Sequence, residues 1–317
     1  MDISILQNIW FCLLALLLGM FLTLGGFDFG ACILSAKSKR AGDFALGGIV
    51  PFWDANQVWL ITAGGALFAA FPAAYSSALA NLYIPVMLLL ATIIARVAAI
   101  EFYFVKDSAK WRNCWRRTAA GSSALAMLLF GIALGVIFTG KVFGRTGTFS
   151  EKFFALFSFS TILCGIAALL FSCVHGALFL CFKSAEGREL FAKTCGNSFK
   201  LLLAAYALYI LSLSLEVSEI IFFIGSYAVL QISHICFLRK RFGFALIFSG
   251  IFALLAVAAH AFAAYPNIIA PEITLADSSS AKTLSIMLAV AGVGVPIILG
   301  YTIYVYRVFL RKAPRKP

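Results

Sequence analysis

Charge is scarce in this chain. Only 12% of its 317 residues are Asp, Glu, Lys or Arg, whereas a soluble globular domain carries about 25%. Histidine is scarcer still, with three (His175, His234 and His260) spread over different predicted spans. Such dispersion disfavours a metal centre and, although His175 and His234 fall near one side, makes a haem on this chain an unfavoured reading. The eight cysteines (Cys12, Cys32, Cys114, Cys164, Cys173, Cys181, Cys195 and Cys236) form no CxxC pair and no CxxCH haem-attachment motif. Most fall within apolar spans or on the predicted inner side, which argues against structural disulfides. There is no P-loop, no GxGxxG and no nucleophile triad, so nucleotide binding and acyl transfer have no visible machinery.

Apolar residues are abundant. They make up 62% of the chain, and the mean hydropathy is +0.99. Only hydrogen-bonded helices and closed barrels span lipid, and runs of about 20 apolar residues indicate helices. The sequence predicts an all-α polytopic membrane bundle, a single integral domain over residues 1–317. About nine transmembrane spans are expected, over 9–34, 49–75, 78–104, 119–138, 153–182, 199–215, 220–238, 244–264 and 284–309. They group as two four-helix units (1–140 and 153–265) followed by a last helix at 284–310. The N-terminal segment has no Lys or Arg and no small-residue cleavage pattern, so the first span is expected to be retained.

The net charge of +12 would suggest nucleic acid, but the placement of the charges argues otherwise. With the N-terminus outside, inner segments hold 20 of the 25 Lys and Arg. Three follow the first span, five the third, four the fifth and three the seventh, and five lie from Arg307 on. Outer segments hold Lys141, Arg145, Lys152 and Lys282, and Arg96 lies within the membrane. This is the positive-inside pattern, with cytoplasmic loops beside anionic lipid.

Within the spans a few ionisable groups stand out. Asp28 lies nine residues before Lys37, about 13 Å along a helix. An acid that deep is costly unless paired, protonated or hydrated, and is a functional candidate against the plainer reading of interhelical packing. Arg96, ten residues before Lys106, is too deep to snorkel and calls for a carboxylate; Asp28 is at comparable depth. Glu101, near the inner end of the third span, reads equally as a proton relay or an interfacial acid. His175, eight residues before Lys183, is followed by Gly176 and Ala177, much as Asp28 is followed by Phe29 and Gly30. It reads as a relay or, somewhat better, as part of a polar packing cluster. Such groups suit proton transfer, but no redox centre is visible to drive it.

The stretch 49–75, IVPFWDANQVWLITAGGALFAAFPAAY, organises the chain. Asp54, Asn56 and Gln57 lie between Trp53 and Trp59, and a small-residue run from Ala63 through Gly64 and Gly65 to Ala70 follows. Small residues four apart let membrane helices pack closely, so this helix is expected inside a bundle. Asp54 with Gln57 matches a capping box, a local role that does not exclude function.

WDANQVWLITAGGALFAA resembles the WDGNQVWLITAGGALFAA pattern of subunit II of cytochrome bd-type quinol oxidases, with Ala55 for the usual Gly. GGFDFG resembles the family's DGFDMG, with Gly25 where an acid is common. KWRNCW resembles RWRNMW, and VPIILGYTIYVYRVF resembles VPIILLYTAWCYWKMF. Arg96 and Glu101 match the family's spacing, though Val97 replaces its usual Pro.

The resemblance implies a haem-free subunit II in a bacterial cytoplasmic (inner) membrane. It would pair with a haem-bearing subunit I that carries haem b and haem d and reduces O2 to water with quinol. It implies a cytoplasmic proton path through Asp54, Asp28, Glu101 and His175, with Arg96 as structural ion pair. Trp53, Trp59, Gly64 and Gly65 would be interface packing. A bound quinone or lipid and a small single-helix third subunit are left open. No metal, no catalytic residue and no nucleic acid are expected on this chain. From the residues alone, the alternatives are a proton-coupled secondary transporter, with Pro85 and Pro296 as helix breaks, and a purely structural scaffold.

Overall fold

The structure is a computed structural model describing residues 2–140, 153–269, 271 and 273–310. Lys141, Arg145 and Lys152, and the basic tail from Arg311 to Lys316, lie outside the described residues. The chain is a polytopic all-α bundle. Among the described residues, eight helices are long and apolar enough to cross a membrane, or nine if a bent pair counts as one span.

The first span is not one regular helix. It comprises α1 (Ile3–Met20), a π-helical turn (Phe21–Gly25) and α2 (Gly26–Ser35). Ser38 then caps a short amphipathic helix that the sequence reading did not foresee, α3 (Lys39–Ile49), by accepting from the Ala41 N–H at 3.1 Å.

The second span is also broken. α4 (Trp53–Ala70) ends before Pro72, and α5 (Pro72–Asn81) turns away by 117°. Pro72 sits at a helix start, where its missing N–H costs nothing. Ala78, expected in the third span, belongs to α5, and α6 (Tyr83–Tyr103) begins later. The basic segment before the fourth span is not a loop: Lys110 to Arg117 are the first turns of α7 (Ala109–Thr139).

The remaining spans are α8 (Phe159–Lys183), α9 (Ala185–Leu211), α10 (Val217–Leu238), α11 (Phe242–Ala264) and α12 (Ala281–Phe309). α9 starts well before the expected residue 199, because Ser184 caps it through the Gly187 N–H at 3.0 Å. Pro85 lies in the first turn of α6, and Pro296 sits inside a continuous α12. Neither makes the broken helix that a transporter site would need.

α8 is the centre of the bundle, with 67% of its apolar window buried, against 6% for α12. Glycines let other helices press on it. A Cβ at Gly30 would stand 1.7 Å from the Ser172 carbonyl oxygen, and one at Gly176 would stand 2.6 Å from the Gly30 carbonyl carbon. Thus α2 and α8 cross backbone to backbone, at the two glycines that follow Asp28 and His175.

Between α11 and α12, a two-stranded hairpin (β1, Asn267–Ile269; β2, Ile273–Thr274) folds over one end. Ser278 Oγ accepts the Ala74 N–H at 2.9 Å, and Gln7 donates to Ser279 Oγ at 2.9 Å. These bonds tie this loop to α5 and α1.

Gly30→Ala is expected to lower the thermal midpoint of the detergent-purified protein by several degrees. Overpacking costs about 1–3 kcal/mol even where neighbours can shift, and here the neighbour is backbone. Gly121→Ala, with nothing within 4 Å of its Cβ, should leave the midpoint unchanged.

Candidate functional site

Asp28 and Arg96 meet. Arg96 Nη2 lies 2.6 Å from Asp28 Oδ1, with the side chains 0% and 1% exposed. α2 supplies the acid and α6 the base. The guanidinium also lies 4.0 Å from the centroid of the Phe29 ring, an arrangement that suits a weakly hydrated planar cation.

The other carboxylate oxygen is used as well. Asn56 Nδ2 donates to Asp28 Oδ2 at 3.0 Å, and Asn56 Oδ1 accepts from the Tyr306 hydroxyl at 3.0 Å. One acid therefore joins α2, α4, α6 and α12. Arg96 Nε and Nη1 find no partner among the described residues, although they are buried.

The π-helical turn explains much of this geometry. One inserted residue rotates everything after it by about 100° relative to the helix before it. It also frees backbone carbonyls, which must be satisfied. Thr23 Oγ1 donates to the Gly19 carbonyl at 2.8 Å, and His175 Nε2 lies 2.8 Å from the Thr23 carbonyl. A carbonyl only accepts, so Nε2 carries a proton. His175 Nδ1 lies 2.6 Å from Ser249 Oγ, and the ring stacks on Phe171 at 5.1 Å. His175 is thus bonded to the π turn and to α11 rather than to Asp28.

The other sequence-predicted residues lie elsewhere. Asp54 is exposed and has no partner among the described residues. It does not cap α4: the cap residue is Phe52, and Asp54 is already helical. The capping-box reading fails because the helix begins two residues earlier than that box requires, at Trp53 rather than Ala55. Glu101 is exposed and accepts from Trp53 Nε1 at 3.2 Å, bridging the start of α4 and the end of α6.

Trp59 is buried with its Nε1 unpartnered among the described residues. Gly64 and Gly65 are exposed with nothing within 4 Å of their Cβ positions, whereas Ala63, Ala66 and Ala70 are buried. Within this chain, then, α4 is not enclosed by a bundle. Its small residues are divided between an inner face and a bare outer one.

Sequence reasoning missed Asn56 and Tyr306 as members of the site. Asn56 had a signal, since residues two apart on a helix face opposite ways. Asp54 and Asn56 could not both turn inward, and it is the amide that does. Tyr306 carried none.

The comparisons with known proteins agree with one another. The family profile described as cytochrome bd terminal oxidase subunit II matches residues 6–309. The chain belongs to that family. The cytochrome bd ubiquinol oxidase subunit 2 of Bacillus subtilis is 28% identical over 98% of both chains. The cytochrome bd-I ubiquinol oxidase subunit 2 of Escherichia coli K12 is 32% identical over 56% of this chain and 49% of its own. A probable cytochrome oxidase subunit 2 of Haemophilus influenzae is 34% identical over 61% and 53%. The last two matches span about half the length of those relatives. The bd oxidase structure from Geobacillus thermodenitrificans shares the fold, with TM-score 0.77 and 19% identity over 96% of this chain and 98% of that one.

For a bd oxidase subunit, the histidines are informative. His175 is engaged at both nitrogens, and so is His260, by the Tyr209 hydroxyl at 2.6 Å and the Ala256 carbonyl at 2.6 Å. Neither has a free nitrogen to offer a haem iron. Among the described residues, no three His, Cys, Asp or Glu gather as metal ligands.

Replacing one partner of the central pair should cost more than replacing both. Arg96→Leu is expected to destabilise by about 3–5 kcal/mol, since it strands a buried carboxylate. The double variant Asp28→Leu/Arg96→Leu should recover part of that loss. A double-mutant cycle on thermal unfolding, with expression level as a second readout, measures the coupling; additive losses would show none.

Proposed function

We propose that this chain is the haem-free subunit II of a cytochrome bd-type terminal quinol oxidase, working in the bacterial cytoplasmic (inner) membrane with its N-terminus outside. It pairs with a haem-bearing subunit I, which holds haem b and haem d. The complex oxidises quinol and reduces O2 to water, and this subunit contributes a cytoplasmic proton path. The observation that carries the reading is the family match over nearly the whole chain. The B. subtilis relative, named as a ubiquinol oxidase subunit and matched end to end, supports it.

The role of each residue is part of the same proposal. Asp54 and Glu101 take up protons at the cytoplasmic ends of α4 and α6, where both are exposed. Asp28 is the buried acid they serve, with Arg96 holding its place. His175 is the fourth protonatable group of the path, anchored by Thr23 and Ser249. Subunit I covers the bare face at Gly64 and Gly65, flanked by the exposed Ile61 and Phe68. Trp53 packs at that interface, whereas Trp59, expected there from the sequence, is buried within this chain. An exposed apolar face of this size on an isolated chain is what a partner or lipid must cover.

An apolar cavity of about 250 Å3 lies between α1, α4, α5, α6, α7 and α11, lined by Leu14, Leu67, Tyr75, Val86, Phe130 and Val257 among others. Its lining suits a lipid or quinone tail. A small single-helix subunit would find room on the exposed side of α12. The division into two four-helix units and a last helix is supported by the α2–α8 crossing at Gly30 and Gly176, which relates the first helix of each unit.

Gentle purification of the tagged chain from its native membrane, followed by a reduced-minus-oxidised visible spectrum, tests the reading. Bands of haem b and haem d with a co-purifying partner and quinol oxidase activity are expected. A colourless chain that purifies alone and transports a solute would favour the transporter. In the active complex, Asp54→Asn should lower turnover with the complex intact. Unchanged turnover across a broad pH range would remove Asp54 from the path.

A further inference from the structure

We propose a second cytoplasmic proton inlet, at Asp43 and Tyr103, leading to the Arg96–Asp28 pair through water held by Ser123 and Arg96. It rests on the oxidase reading above and adds residues to its proton path.

Asp43 lies on the short helix α3 between the first two spans, and its side chain is 26% exposed. The Tyr103 hydroxyl donates to the Asp43 carboxylate. Tyr103 is itself fully buried, so this phenol connects a water-accessible acid to the interior. The charged groups facing the pair are Arg112 and Arg116 from α7 and Asp107 from the turn before it. Arg112 Nη1 lies 4.0 Å from Asp43, and Arg112 Nη2 lies 3.0 Å from Asp107. Two arginines keep Asp43 from standing among like charges, and neither arginine blocks the Tyr103 bond.

The inward face of α6 carries the line onward. Arg96, Ala99, Ile100 and Tyr103 are all fully buried and share that face. Seven residues separate Tyr103 from Arg96, about 10 Å along the helix.

Polar atoms in search of partners lie deeper along this line. Arg96 Nε, Arg96 Nη1 and Ser123 Oγ are buried with no partner among the described residues. Both side chains are within hydrogen-bond reach of the Cys32 thiol of α2, which is one weak partner for three buried polar atoms. Buried donors are almost always hydrogen-bonded, and clustered orphans with two or more polar partners are where ordered water sits. A separate, independent mark of the same kind is Arg112 Nε at the mouth.

The transfer balances simply. Asp43 picks up a proton from the cytoplasm. Its new O–H donates to the phenol oxygen, and the phenol turns its own O–H inward. Tyr103 passes that proton to a chain of water that must span the roughly 10 Å to Arg96 and Ser123, while receiving the one from Asp43. Asp43 returns to carboxylate and Tyr103 to phenol. The proton arrives at Asp28, whose carboxylate keeps a lone pair beyond the bonds from Arg96, Asn56 and the Phe29 N–H.

The test uses the assembled complex. Quinol-driven O2 consumption is measured from pH 6 to pH 8, with proton uptake from the inner side in proteoliposomes and the haem spectrum as a control. Asp43→Asn and Tyr103→Phe should each cut turnover by about tenfold at pH 8, the low end of what a positioned proton-transfer group contributes. The cut should be much smaller at pH 6, where protons are plentiful. Asp43→Glu should restore the rate, and the haem spectra should stay as in the unaltered complex. Tyr103→Phe removes one hydroxyl and keeps the ring, so it carries the test if Asp43→Asn fails to assemble. Unaltered turnover and uptake at every pH would overturn the inlet and leave the oxidase reading standing. A loss equal at all pH values and not restored by Glu would overturn it too, as the mark of a structural role. An unaltered complex without quinol oxidase activity would overturn the functional reading and the inlet together.

Discussion

Two opposite charges buried in an apolar bundle set the terms for everything around them. Asp28 and Arg96 cannot stay in such surroundings apart, because each alone would cost several kcal/mol to desolvate. Their contact fixes α2 against α6. The second carboxylate oxygen draws in Asn56 from α4, and Asn56 draws in Tyr306 from α12. α12 is otherwise the least enclosed of the eight spanning helices, so this bond near its C-terminal end helps to hold it in register. The same polar node that a proton path would use is also a structural clasp.

That clasp depends on how closely the helices approach. Gly30 and Gly176 let α2 and α8 touch along their backbones. The π turn just before Asp28 changes the direction the acid faces, and His175 and Thr23 satisfy the carbonyls that the turn exposes. His175 is therefore explained first as the partner of an irregular helix. Its second nitrogen lies on the Ser249 hydroxyl, which ties the ring to α11 as well. Irregular backbone inside a membrane is tolerated where protein satisfies it, and here the satisfying groups and the candidate proton carriers are neighbours.

At the basic end of the bundle, charged residues do more than mark orientation. Arg116 donates to the Ser35 carbonyl at 3.2 Å and to the Ala36 carbonyl at 2.8 Å, closing the end of α2. Arg40 bridges Glu186 and Glu189 at 2.9 and 2.8 Å, though exposed pairs of that kind contribute little stability. Arg112 stands between Asp43 and Asp107. Through it α3 meets the basic start of α7, with Asp43 26% exposed.

The sequence by itself determined the class, the spans and the deep charges. Hydropathy is a property of each residue, and an ion in an apolar run is conspicuous because its cost is local. Asp28 and Arg96 were legible for that reason, as was the WDANQVW segment. Tertiary structure alone decided which polar residue of that segment turns inward, since Asp54 and Asn56 differ only in the face they occupy once α4 begins at Trp53. It decided that Gly64 and Gly65 stay bare, that the first span carries a π turn, and that the second bends at Pro72. It also brought Tyr306 to Asn56 across 250 positions of chain, and Tyr103 to Asp43. These outcomes depend on helix phase and on partners far away in sequence. A change of one residue in register rotates a face by about 100°, and no local pattern records which rotation the neighbours will accept.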